Sequence, residues 1–210
     1  MGITAKLDRY QFNNKYFHSR SKGNATDAGT EIHGEIHYIA KNKKLPEKVH
    51  PQTVCFLNTL AKLGWEMIDA EVRVEDTTLG YHTKIDVMAR DVQRGRTIVI
   101  EVKTTNATRS EAERELNNIH AEPKHKLPTT SPWSALPEFE FDTPVARAIA
   151  QVTLEYHLLW RSGRRDLEAF VVYLFWLTPA ELTKENFGDF VGLWQPSPRA
   201  LGSEFYQSLV

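Results

Sequence analysis

Cysteine is nearly missing from this chain: Cys55 is the single one in 210 residues. One thiol excludes an internal disulfide framework, a four-cysteine zinc site and an iron–sulfur cluster. A surplus of positive charge is missing too, since 26 Lys and Arg face 27 Asp and Glu. If a polyanion is a partner, it must be gripped by local patches rather than by a global field. Long apolar runs are absent. The longest, FVVYLFWL at 170–177, has strand length, so no membrane span is expected. The opening MGITAKLDRY lacks the apolar core of a secretory leader, and Lys6 stands where a myristoylation signal needs Ser or Thr. These absences predict an intracellular protein of unspecified organelle, with no membrane partner.

What is present is an ordinary globular composition, 41 % hydrophobic and 25 % charged, with length enough for one domain and a substantial core. Residues 1–25 are polar with scattered aromatics (Tyr10, Phe12, Tyr16, Phe17) and read as an arm or a packed irregular segment. Residues 26–210 read as a single domain. From Asp27, DAGTEIHGEIHYIAK repeats Ile32, Ile36 and Ile39 at helical spacing. A second helix fits residues 51–63, with Pro51 in its first turn, Gly64 as its stop, and Val54, Leu57, Leu60 and Ala61 as its stripe; Cys55 reads as a small buried hydrophobe within it.

The period then changes. WEMIDAEVRVED, GYHTKIDVMARD and RTIVIEVKTT read as three strands joined by tight turns, hence antiparallel hairpins. A short helix is expected over 111–118, and the proline-rich stretch 121–143 reads as a long loop or lid. TPVARAIAQVTLEYHLLWR is a strong helix with Val145, Ile149, Val152, Tyr156 and Leu159 on one face. EAFVVYLFWLT, almost wholly apolar, reads as a central strand, and ELTKENF as a short helix. The order predicts an α/β fold in which a small mixed central β-sheet is flanked by α-helices.

Two strands carry an anomaly. Glu101 and Lys103 share one strand face, roughly 6–7 Å apart along the chain, inside an otherwise Ile/Val run. Asp86 sits likewise between Ile85 and Val87. Buried charges are costly unless something compensates, and two acids brought side by side repel unless a cation lies between them. Hard oxygen donors suit Mg²⁺ or Mn²⁺, and a neighbouring ammonium can orient water or offset charge on a phosphorane.

These residues resemble a known family. IDVM…TIVIEVKTT is similar to the D…(D/E)-x-K signature of PD-(D/E)XK nucleases, which implies a restriction-endonuclease-like fold. The wider pattern resembles the RecB-like exonuclease branch. There a helical G-x-x-x-H precedes the strands, and Gly29 to His33 fits it. The resemblance implies Asp86, Glu101 and Lys103 as catalytic residues. It implies His33, Asp86, Glu101 and the Val102 carbonyl as ligands of one or two Mg²⁺ or Mn²⁺ ions. Glu71, one strand earlier, matches a supporting acid. The branch's Q-x-x-x-Y helix is matched by Gln151 and by Tyr156, one residue further on than the motif asks. The implied activity is metal-dependent hydrolysis of DNA, exonucleolytic or acting on single strands, ends or flaps, with RNA not excluded.

Other readings stay open at this point. Glu101 and Lys103 can be a cross-strand ion pair on a solvated face, His33 a core histidine, Glu71 a solvated strand acid and Tyr156 plain core. A restriction-like endonuclease on the same fold and a non-catalytic nucleic-acid scaffold both fit. HGEIH also places His33 and His37 one turn apart, although Glu35 does not directly follow the first histidine as zinc peptidases require. Lys41/Lys43/Lys44/Lys48 and Arg161/Arg164/Arg165 are candidate phosphate contacts or simply charged helix ends, and Trp133 is a candidate base-stacking platform or a loop anchor.

Overall fold

The computed structural model describes residues 1–13, 17, 25–178, 180–183 and 185–209; Tyr16 and Lys184 lie outside these. Among the described residues five strands form one mixed sheet in the order β1-β2-β3-β4-β5. They are β1 (Trp65–Asp76), β2 (Tyr81–Asp91), β3 (Thr97–Thr104), β4 (Leu167–Leu174) and β5 (Val191–Trp194). Neighbours β1/β2, β2/β3 and β4/β5 are antiparallel, and β3/β4 is parallel. The parallel step needs a crossover, and the helix α5 (Pro144–Arg161) lies within it.

Helices cover both faces, so the fold is α/β. On one face α2 (Ala25–Asn42) and α3 (Pro51–Leu63) bury Ile32, Ile36, Cys55, Phe56 and Leu60 against Val87, Ala89, Ile98, Ile100, Val102 and Val172. On the other, α5 and α1 (Ile3–Arg9) pack Val145, Ile149, Val152, Ile3 and Leu7 against Val99, Val171 and Tyr173. The first residues, expected as an arm or irregular segment, thus contribute a helix to the core. Arg147, itself buried, ties this segment down by donating to the Phe12 carbonyl at 2.6 Å and pairing with Asp8 at 2.9 Å.

Several local expectations need correction. The buried side of α3 is Gln52, Thr53, Cys55, Phe56, Thr59 and Leu60, while Val54 and Leu57 are half-buried and Ala61 exposed. The helix is rotated because its polar side chains find internal partners: Gln52 Nε2 donates to the Leu174 and Phe175 carbonyls at 2.7 and 3.0 Å. Of ELTKENF, expected as a short helix, Lys184 lies outside the described residues and the others form no α-helix; its last residue, Phe187, opens a 3-10 turn, Phe187–Phe190. Trp133 is fully buried against Phe12, Phe139 and Phe205, so it anchors the proline-rich segment and offers no face to a base. That segment holds three 3-10 turns and is packed down by Trp133, Leu136 and Phe139. The helix after β3 is longer than expected, α4 (Arg109–Ala121), closed by a capping box between Thr108 and Glu111. A last helix, α6, spans Ser203–Leu209.

The β1/β2 hairpin does something unusual for a strand pair. Ala70 and Val87 lie in the α2/α3 core, whereas Val72 and Ile85, two residues further out, pack into the α5 core. Residues two apart normally share a face. Both strands therefore change faces at one rung, the unpaired one between Ala70–Val87 and Val72–Ile85 that carries Glu71 and Asp86, and Glu71 has φ +56°. The outer half of the hairpin leans over α5. The ladder between β2 and β3 ends at Val87–Ile100, immediately before that rung.

The approach of α2 to the sheet is close. A Cβ on Gly29 would stand 2.8 Å from Thr104 Oγ1, while one on Gly34 would meet open space. Gly34→Ala is expected to raise stability by about 0.5–1 kcal/mol through helix propensity. Gly29→Ala is expected to forfeit that gain and lose about 1 kcal/mol through overpacking. Urea unfolding of the two variants checks the contrast, and equal shifts would refute the tight contact.

Candidate metal centre

The parting of β2 and β3 leaves the Val102 N–H without a ladder partner, and Asp86 supplies one: its Oδ2 accepts from Val102 N at 2.9 Å. The face switch turns Asp86 into the gap. Its other oxygen, Oδ1, lies 3.6 Å from His33 Nδ1, reached from α2. Ligand atoms of His33, Glu71 and Asp86 all fall within 4.8 Å of one another. The Val102 backbone and the Glu101 carboxyl also stand beside His33, and Asp86 and Glu101 lie close enough for the Asp86 charge to act on Glu101. Of the expected ligands, His33 and Asp86 converge, and they do so with Glu71 rather than with Glu101; Glu101 stands beside Asp86 just beyond the last β2/β3 pair, not opposite it on a paired rung.

Glu101 is 1 % exposed. Its Oε1 accepts from the Lys103 ammonium, and its Oε2 has no hydrogen-bond partner among the described residues. Such an orphaned, buried acceptor is rare and costly. Lys103 Nζ further donates to Gln151 Oε1 at 3.2 Å, which places Gln151 of α5 at the site as expected. Tyr156 does not follow it there: its ring stands edge-on to the buried His157 and borders the α5 core. The position four residues after Gln151, on the same helical face, belongs to Glu155, fully buried, with one oxygen accepting from Thr83 Oγ1 at 3.1 Å. Sequence reasoning missed Glu155; the i, i+4 spacing from Gln151 was the available signal.

Electrostatics follow from this crowding. Burial pushes Glu101 up to about 8, and the Asp86 charge pushes the same way. Burial also raises Asp86 and Glu155. Burial opposes the Lys103 charge, yet Glu101 and Asp86 outweigh it and hold the ammonium above its usual range. Burial lowers His33, leaving a neutral imidazole fit to be a ligand. Glu71 is lowered, chiefly by its 2.8 Å contact with Lys84.

Two buried carboxyls, Glu101 and Glu155, and the half-buried Asp86 thus surround one ammonium, and hard oxygen donors with one imidazole suit Mg²⁺ or Mn²⁺. His37 stands outside the converging group, which disfavours a zinc site built on His33 and His37. Cation and proton compete for Glu101. Because its pKa is raised, the proton is held below about pH 8 and lost above it. Mn²⁺ affinity is therefore expected to climb by up to about tenfold per pH unit between pH 6 and 8 and to level off beyond, with protons released on binding. Calorimetry in buffers of different ionisation enthalpy checks this; a flat affinity across that window would refute it.

Most of the cations considered for phosphate contact have local duties. Lys41 pairs with Asp69 at 2.7 Å, Lys43 donates to the Met67 carbonyl at 2.8 Å, Arg161 pairs with Asp76, and Arg165 stacks on Trp160. No helix among the described residues is long and apolar enough to cross a membrane. Compared with known proteins, the chain matches no family model and no curated protein.

Proposed function

We propose that this chain is a Mg²⁺- or Mn²⁺-dependent nuclease of the restriction-endonuclease-like type that hydrolyses DNA phosphodiesters, working on single strands, ends or flaps. The observation that carries the reading is the meeting of Asp86, Glu101 and Lys103 where β2 and β3 part, with Glu101 buried and one of its oxygens unpartnered among the described residues. A purely structural scaffold gains nothing from such an oxygen. A bound divalent ion would polarise the phosphate and lower the pKa of the attacking water. Asp86, Glu101, His33, Glu71 and the Val102 carbonyl are the groups that would hold it.

The protein's own residues do the rest. The Val102 N–H fixes the Asp86 carboxylate, and His33, kept neutral by burial, presents a lone pair. The Lys103 ammonium, held above its usual range by the Glu101 and Asp86 charges, acts as a positive donor to the water and to the developing charge on the phosphorane. Glu101 on one side and Gln151 on the other fix the direction of the ammonium.

The test is incubation of end-labelled single- and double-stranded DNA and RNA after chelation, with Mg²⁺, Mn²⁺ or Zn²⁺ restored. Terminal nucleotides released with Mg²⁺ or Mn²⁺ are the expected products. Internal fragments would move the assignment to an endonuclease on the same residues. Rescue by Zn²⁺ alone, or no cleavage of any substrate, would overturn the reading.

A further inference from the structure

We infer that Glu155 is a positioning residue for Lys103, acting through the amide of Gln151; the claim rests on the nuclease reading. Glu155 is fully buried, yet one of its oxygens has no hydrogen-bond partner among the described residues. An apolar residue would be easier to bury there, and packing alone explains nothing about a carboxylate. Its other oxygen, Oε1, accepts from Gln151 Nε2 at 3.4 Å and from Thr83 Oγ1 at 3.1 Å. Gln151 Oε1 in turn accepts from Lys103 Nζ at 3.2 Å.

The logic lies in the symmetry of an amide. Turned over, Gln151 fills the same volume but sets its NH₂ against an ammonium that has no acceptor to offer. An oxygen that already accepts from Thr83, Glu155 Oε1, decides the orientation. Glu155 draws the Gln151 NH₂ to its own side, and the carbonyl is left facing Lys103. Being one helical turn away, it holds the amide without any loop motion. Thr83 ties Glu155 to β2, three residues before Asp86. The same contacts therefore register α5 against the strand that bears the metal-facing acid.

The test uses Glu155→Met, which keeps the volume and removes the acceptors. It is expected to fold at least as stably as the parent and to lose about tenfold in kcat, with KM for DNA within about twofold. Glu155→Gln, which restores a carbonyl, is expected to recover most of that loss. Glu155→Asp, which keeps the charge but draws the acceptor back, should behave like Glu155→Met and serves if the latter does not fold. In a Gln151→Met background the Glu155 changes should cost no more than about twofold. A crystal structure of Glu155→Met should show Lys103 Nζ swung away from Gln151. Additive losses in the double variant, full activity in Glu155→Met and Glu155→Asp, or an unmoved Lys103 would each overturn the inference. A displaced Lys103 in a protein whose parent cuts nothing would remove the nuclease reading and leave the positioning role standing.

Discussion

Lys103→Met is expected to reduce DNA cleavage by on the order of 10³-fold while DNA binding is largely kept. The Lys103 ammonium is paired with the buried Glu101 at the floor of the site, and on the proposed mechanism its loss removes the donor aimed at developing charge. The change also acts on stability, and with a predictable sign. Without Lys103, the buried Glu101 and Glu155 and the half-buried Asp86 have no compensating charge, a situation that costs about 3–5 kcal/mol when such a pair is broken. Protonation relieves it. Carboxyls whose folded pKa is raised bind more protons folded than unfolded between their ordinary range and about pH 8, so stability falls as pH rises through that window. The variant's melting temperature should therefore lie further below the parent's at pH 8 than at pH 6. Cleavage is to be compared at a pH where both are folded. Equal cleavage by the two proteins would take Lys103 out of the mechanism.

Glu101→Gln should separate stability from function in the opposite direction. Gln keeps a carbonyl for Lys103 and puts a donor where Oε2 now has no partner, beside Asp86. One buried negative charge and one orphaned acceptor disappear together. The metal-free variant is expected to be more stable than the parent by about 1–2 kcal/mol at pH 8. Its Mn²⁺ affinity should drop by at least about tenfold, and cleavage by on the order of 10³-fold. A variant that unfolds more readily and yet binds Mn²⁺ normally would show that Glu101 serves packing rather than a cation.

Much of this arrangement was legible in the sequence, for definite reasons. The three strands and the helices α2, α3 and α5 show because one residue type repeats at period 2 or 3.6 over many positions. Asp86, Glu101 and Lys103 show because charge interrupts an apolar run. Glu155 was hidden because its helix is buried on nearly every side, so an acid there breaks no stripe. The working face of α3 was hidden because Gln52 and Thr59 are buried by virtue of partners far away or behind them, which periodicity cannot register. Trp133 stayed between two readings, stacking platform and loop anchor, because an aromatic in a proline-rich stretch looks the same whether it faces a ligand or a core; it is the anchor. The short elements α1, β5 and α6 span too few residues for a period to emerge.

The rung at which β1 and β2 exchange faces has a consequence for how this molecule can vary. Beyond it, Val72, Val74 and Ile85 meet the α5 core only because their parity is reversed relative to Ala70 and Val87. One extra residue in either outer strand would turn those side chains out to water. A matched pair inserted in each strand near Asp76 and Tyr81 would lengthen the ribbon and leave the acids where they are. The tip of this hairpin is thus a place where length can be added in steps of two, giving a longer finger beyond α5 without moving the acids at its root.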